Sequence, residues 1–266
     1  MKILMIGDSV GRPGRSMLLE YLPKLQKEEG IDMVIANGEN ASGGRGLNRE
    51  GRDDLFRAGV DVITMGNHVW DNKEIFQFLD DEYRIVRPAN FPGDCPGRTY
   101  TIYTAPFNIK VAVINLCGRV FMQQLDCPFA AADAILEEIG DEADCIFVDF
   151  HAEATSEKLA LAYYLDGRVT AVVGTHTHVQ TADERILPKG TAYITDLGMT
   201  GVRESVLGVD KDIIIKKFLT QRPVRHELAK GSRQLQGLLI TLDDTTFKAT
   251  AVKRISWLES ENNTRD

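Results

Sequence analysis

Residues 2–8 read KILMIGD and residues 170–178 read TAVVGTHTH. Each is a short aliphatic run, rich in β-branched residues, that gives out in glycine and polar side chains. DMVIANGEN (32–40), VDVITMGNH (60–68) and CIFVDFHAE (145–153) follow the same plan. Such runs read as buried strands ending in turns. Between and beyond them, Ser16–Glu29, Arg49–Ala58, Asn72–Asp80, Pro128–Ile139, Ser156–Leu165 and Lys211–Leu219 carry helical patterns. Pro23 is expected to kink or split the first of these. Strands alternating with helices predict an α/β fold, with helices on the outer faces of a central sheet. TYTIYTA (99–105) with KVAVINLCG (110–118), and GLLITLD (237–243) with TFKATAVKRIS (246–256), read as hairpins. They make the sheet mixed and allow it to double into a β-sandwich core. VRPANFPGDCPGR (86–98) is read as an irregular connection. One domain over 1–266 is expected, with ESENNTRD (259–266) as a frayed tail.

Composition narrows the class. With 31 basic and 39 acidic side chains the formal charge is −8, which argues against bulk binding of duplex nucleic acid or an anionic membrane. No apolar run approaches the ~20 residues that cross a bilayer. MKILMIGDSV reads as a first strand, not a signal peptide, so a cytoplasmic location is expected. Cys95, Cys117, Cys127 and Cys145 show no CxxC spacing and are expected to be buried thiols without a catalytic part. Trp70 and Trp257, with Phe76, Phe78 and Tyr83, are expected to fill core or an interface between copies in a homo-oligomer.

The chemistry-bearing residues share one position in this pattern: each lies where a strand runs out. Asp8 follows the first run, Glu39 and Asn40 the second, Asn67 and His68 the third, His151 the fourth, and His176 and His178 the fifth. In open α/β sheets, ligand sites gather at the carboxyl ends of strands. Four of the five histidines belong to the set. In extended backbone His176 and His178, two apart, would face one side. Two carboxylates, two carboxamides and three histidines suit two cations, leaving His68 for proton transfer. Imidazole-rich donors favour iron, manganese or zinc over magnesium or calcium. Asp149 and Glu153 are candidates to orient His151, and Arg12, Arg15 and Arg45 are candidates to contact phosphate.

At IGDSVGRPGR (6–15), ANGENASGGRG (36–46), TMGNHVWD (64–71), RPANFPG (87–93), DFHAEATSEK (149–158), VVGTHTHVQTAD (172–183) and ILPKGTAYITDLGMTG (186–201), the chain resembles the calcineurin-like metallophosphoesterases. Within them it resembles the YmdB-type branch of bacterial phosphodiesterases. The resemblance departs from the wider superfamily at Asp8-Ser9-Val10, where Asp-x-His is usual, and at Gly38-Glu39-Asn40, where a GDxxD-type motif is usual. It implies a four-layer αββα fold and two divalent or trivalent metal ions, iron before manganese or zinc. One ion would be held by Asp8, Glu39, Asn40 and His178. Glu39 would bridge to the other, completed by Asn67, His151 and His176, with His68 as general acid. The implied substrates are small phosphodiesters, cyclic nucleotides of the 2′,3′ or 3′,5′ type, attacked by a metal-bridging hydroxide.

Two other readings compete. Gly7-Asp8-Ser9 also matches the opening of GDS-type serine esterases, with Ser9 as nucleophile, yet the residue three before the late His226 is Pro223 and not the expected Asp. A phosphoesterase-like scaffold could instead bind nucleotide or protein without turnover. GDSVGRPG fails the dinucleotide-binding pattern, because Asp8-Ser9-Val10 interrupts the GxGxxG spacing.

Overall fold

Alternate side chains of Lys2–Ile6 (β1) enter different cores: Leu4 and Ile6 join one cluster, Ile3 and Met5 another. Met33–Asn37 (β3) splits in the same way, Val34 and Ala36 against Met33 and Ile35. Strands that bury both faces need an apolar residue at nearly every position, which is why these runs read as continuous and not alternating. The computed structural model describes residues 1–93 and 95–259.

Strand β1 lies between Met33–Asn37 (β3), which is parallel to it, and Arg233–Leu242 (β13), which is antiparallel. Val62–Thr64 (β4) and Ile85–Val86 (β5) extend the parallel side. Met199–Val202 (β12) with Asp8–Ser9 (β2), and Ala249–Leu258 (β14), both attach through β13. A second sheet runs in the order Arg185–Ile186 (β10), Ala192–Ile194 (β11), Ala171–Thr175 (β9), Cys145–His151 (β8), Lys110–Cys117 (β7), Tyr100–Thr104 (β6). Its four inner strands are parallel and its two edges antiparallel.

The cores show how the sheets stack. Gly11–Glu29 (α1) and Arg49–Ala58 (α2) cover the outer face of the first sheet, with Met17, Leu18, Leu22 and Leu55 against Leu4 and Ile63. Ile3, Met5 and Ile35 meet Val113, Phe147 and Val173 between the sheets. Pro128–Ile139 (α3) and Thr155–Leu165 (α4) cover the far face, where Ile135 and Leu161 pack near Ile114 and Phe150. The result is the expected four layers, αββα. Lys211–Thr220 (α5) buries Ile214 and leaves Ile215, Phe218 and Leu219 exposed. No helix among the described residues is long and apolar enough to cross a membrane.

Several expectations need correction. Helix α1 begins at Gly11 and runs unbroken through Pro23. That proline is exposed, and Leu18, Tyr21 and Leu22 on the opposite side hold the helix to the sheet despite the lost backbone bond. The expected helix at 72–80 is a short 3₁₀ turn, Lys73–Gln77, because Asn72 caps Glu74 and the chain must reach β5 within a few residues. Cys117 and Cys145 are buried, but Cys95 and Cys127 are only partly so. Phe78 is buried, whereas Phe76 and Tyr83 are half exposed. Of the expected tail, Glu259 is held by Arg233 and the rest lies outside the described residues. The irregular connection is tied by Arg87, whose guanidinium donates to the carbonyls of Pro88, Cys95 and Pro96.

Candidate metal centre

The carboxyl ends of β1, β3 and β4 in one sheet open onto those of β8 and β9 in the other. Asp8, Glu39, Asn40 and His151 are all at least nineteen-twentieths buried there. Asn67, His68, His176 and His178 stand partly buried around them. The structure thus brings together every residue placed at a strand end by the sequence.

The local turns explain the aim. Asn37, the last residue of β3, accepts from the Glu39 backbone N–H through its side-chain oxygen and swings Glu39 inward. The Asn37 amide also donates to Asp149 and to the Met65 carbonyl, so it joins the two sheets. After β9 the backbone leaves strand geometry: His176 has φ 96° and His178 has φ 62°. The expected same-side pair of an extended strand is therefore absent. The two rings reach opposite ends of the cluster instead. Buried Asp196 holds this strained turn, accepting from the backbone N–H and hydroxyl of Thr177 and from Lys158 Nζ at 2.8 Å.

One end of the cluster centres on His151. Its Nε2 lies 3.0 Å from Asn67 Oδ1, 3.0 Å from His176 Nδ1 and 3.3 Å from Glu39 Oε2. A ring nitrogen carries at most one proton, so it cannot satisfy three lone-pair donors at once. At the other end, Glu39 Oε1, Asp8 Oδ1 and His178 Nε2 surround the Asn40 side chain, whose amide nitrogen lies 2.8, 3.4 and 3.3 Å from them. Turning that near-symmetric carboxamide over presents its oxygen to the same point. Glu39 thus gives one oxygen to each end.

The far side of each ring is occupied. His151 Nδ1 faces the Thr175 hydroxyl at 2.9 Å, which itself donates to Asp149. His176 Nε2 faces Glu153 at 3.1 Å, and His178 Nδ1 faces the Leu207 carbonyl at 3.2 Å. Placing the proton on those nitrogens leaves the other lone pair of each ring directed into the cluster, as metal-binding histidines require. Asp149 therefore acts on His151 through Thr175, and Glu153 acts on His176 instead of the expected His151.

Burial and charge oppose each other throughout the cluster. Burial pushes His151 down, but Glu39, Asp8 and Asp149 outweigh it and raise its pKa to about 9. Burial pushes Asp8 and Glu39 up, yet the neighbouring His178 and His151 hold both below the usual carboxylate range. Burial, with the charge of His151, lowers His176 to about 4. Glu39, His151 and His176 offer donor atoms within 4.8 Å of one another, the spread that one ion bridges. Gly66 supplies the room: a Cβ there would lie 2.3 Å from Glu39 Oε2 and 2.6 Å from His151 Nε2.

His68 stands at the rim. Its backbone N–H donates to Glu39, and its Nδ1 lies 2.8 Å from Asp71 Oδ2, leaving Nε2 without a partner among the described residues. Asp71, Thr175, Asn37 and Asp196 were not singled out by the sequence. The His-x-x-Asp spacing of HVWD was the one local signal among them. Arg15 is buried and paired with Glu50 and Asp54, so it is not available to a phosphate. Ser9 is buried and its hydroxyl meets no partner among the described residues, His226 included, which removes the serine-esterase reading.

Comparisons with known proteins identify the family and the fold. A family model described as YmdB-like protein matches residues 4–255. The chain is 55% identical over 255 residues, 96% of each chain, to a Bacillus subtilis (strain 168) protein named 2′,3′-cyclic-nucleotide 2′-phosphodiesterase. A crystal structure of a hypothetical protein from Thermus thermophilus superposes with a TM-score of 0.92 at 42% identity, over 98% of this chain and all of that one. A Mycoplasma pneumoniae structure described as a novel phosphatase gives 0.91 at 35% identity, over 98% and 94%.

Proposed function

The chain belongs to the YmdB-like family, and on that premise we propose that it is a phosphodiesterase hydrolysing cyclic nucleotides, 2′,3′-cyclic ones first, at a two-metal centre. The observation that supports this most is the crowding of three lone-pair donors on His151 Nε2. Asp8, Glu39, Asn40 and His178 would hold one ion, and Glu39, Asn67, His151 and His176 the other. Bound there, transition-metal ions supply charge neutralisation for the phosphate and acidify water for attack. The imidazole share of the donors favours iron, manganese or zinc over magnesium or calcium, and the family resemblance puts iron first among them.

The remaining work falls to the chain. Thr175, Glu153 and the Leu207 carbonyl hold three rings in the tautomer that faces the ions. Asp71 fixes His68, whose free Nε2 is the group to protonate the departing ribose oxygen. We place this activity in the cytoplasm, where the four free thiols would stay reduced.

The deciding experiment compares chelated and metal-reloaded protein on 2′,3′-cyclic and 3′,5′-cyclic nucleotides. Hydrolysis that vanishes on chelation and returns with iron or manganese is expected, faster on the 2′,3′ isomer. Turnover indifferent to chelation would sink the reading.

A further inference from the structure

A cleft of about 760 Å³ opens beside the donor cluster, with His178 in its wall. Most of its lining comes from the glycine loop 43–45 after β3, the end of α5, and residues 222–224 and 226–228. Arg45, Lys217, Arg222 and His226 all line this space, with Glu227 as the one carboxylate among the lining residues. Arg45, Lys217 and Arg222 are exposed. The arginine and lysine ion pairs among the described residues involve other cations. His226 is close enough to Lys217 and Arg45 that they add to burial in lowering its pKa. In a chain of net charge −8, this is a local concentration of unpaired positive charge. Phe218, 68% exposed, stands among the cations at the cleft wall.

We propose that this cleft holds the nucleotide on the 5′ side of the one that carries the cyclic phosphate, with the phosphate linking the two among Arg45, Lys217 and Arg222 and its base on Phe218. Short single-stranded oligoribonucleotides ending in a 2′,3′-cyclic phosphate are then better substrates than cyclic mononucleotides. The inference rests on the phosphodiesterase reading above and extends its substrate class. A cyclic mononucleotide carries one phosphate, which the donor cluster takes, and the cations beyond His178 are left without a counterpart. One more nucleotide on the 5′ side adds a second phosphate and a second base. Guanidinium groups suit phosphate oxygens, and an exposed aromatic ring suits any base. The chemistry is unchanged: water adds at phosphorus, one ribose P–O bond breaks, the ribose oxygen takes a proton, and a terminal monoester remains.

The test uses the metal-loaded full chain on cytidine 2′,3′-cyclic phosphate and on the dinucleotide ApC ending in the same cyclic phosphate. The dinucleotide is expected to be favoured in kcat/KM by about tenfold or more at low salt, through KM, and the preference should shrink as salt rises. K217Q/R222Q should reduce the preference to about twofold or less, and F218A should reduce it in part. Equal use of both substrates, or a preference that these variants leave intact, overturns the cleft assignment while the phosphodiesterase reading stands. Hydrolysis of neither substrate overturns both.

Discussion

His151 Nε2 meets Asn67 Oδ1 at 3.0 Å, although 84 positions and the seam between two sheets separate the residues. Nε2 has at most one proton to share among Asn67, His176 and Glu39, so the approach of all three to it makes sense around a cation. His151→Ala is expected to lower bound metal from about two ions per chain to one or none. Hydrolysis should fall more than about 100-fold, beyond the 10–100-fold cost of losing an outer partner. Elemental analysis beside kinetics decides, and a variant that keeps both ions and its rate defeats the assignment.

His68→Ala should retain the ions, because the contact to Glu39 comes from the backbone N–H. Turnover of cyclic nucleotides should drop by about 10²–10⁴-fold. A p-nitrophenyl diester, whose leaving group needs no proton, should lose far less. Loss of metal in this variant would move His68 from acid to ligand.

Gly66→Ala places a methyl against Glu39 and His151. The fold has little reason to change, so unaltered far-ultraviolet dichroism with abolished metal uptake is expected. Normal metal content would show that the donors can part without cost.

Lys158 and Asp196 are both essentially inaccessible to solvent. Lys158→Met leaves the carboxylate buried without its cation, a loss of about 3–5 kcal/mol. Urea midpoints should report it, and metal affinity should weaken because the turn carrying His176 and His178 is no longer pinned. A shift under about 1 kcal/mol would contradict this role.

Tyr103 donates to Asp61 at 3.0 Å, and burial together with that carboxylate raises its pKa from 10.0 to about 12. The fold therefore favours the neutral phenol. Its contribution is complete below pH 10 and is lost as pH climbs towards 12. Tyr103→Phe should flatten part of the fall in unfolding midpoint across that window. Identical slopes for both proteins would refute the linkage.

Much of this was legible in the chain because hydrophobic runs that end in polar residues mark strand ends, and parallel strands share one edge. Asp8, Glu39, Asn67 and His151 were found that way. The pairing of His176 with His151 and of His178 with Asn40 came from the family resemblance and not from the strand pattern, since it depends on positive φ values that are uncommon outside glycine. Thr175 and Asp196 were invisible for another reason. They act through partners 24 and 38 positions away, and only packing brings these together. Pro23 does not split α1, because Leu18, Tyr21 and Leu22 bury the helix against the sheet while the proline itself is exposed.

The split origin of the donors has a consequence for synthesis on the ribosome. A nascent polypeptide halted before Cys145 would already own Asp8, Glu39, Asn40 and Asn67, but none of the imidazoles at 151, 176 and 178. Tight loading must wait until the second half has emerged and docked, so cation uptake would serve as a clock for completed maturation.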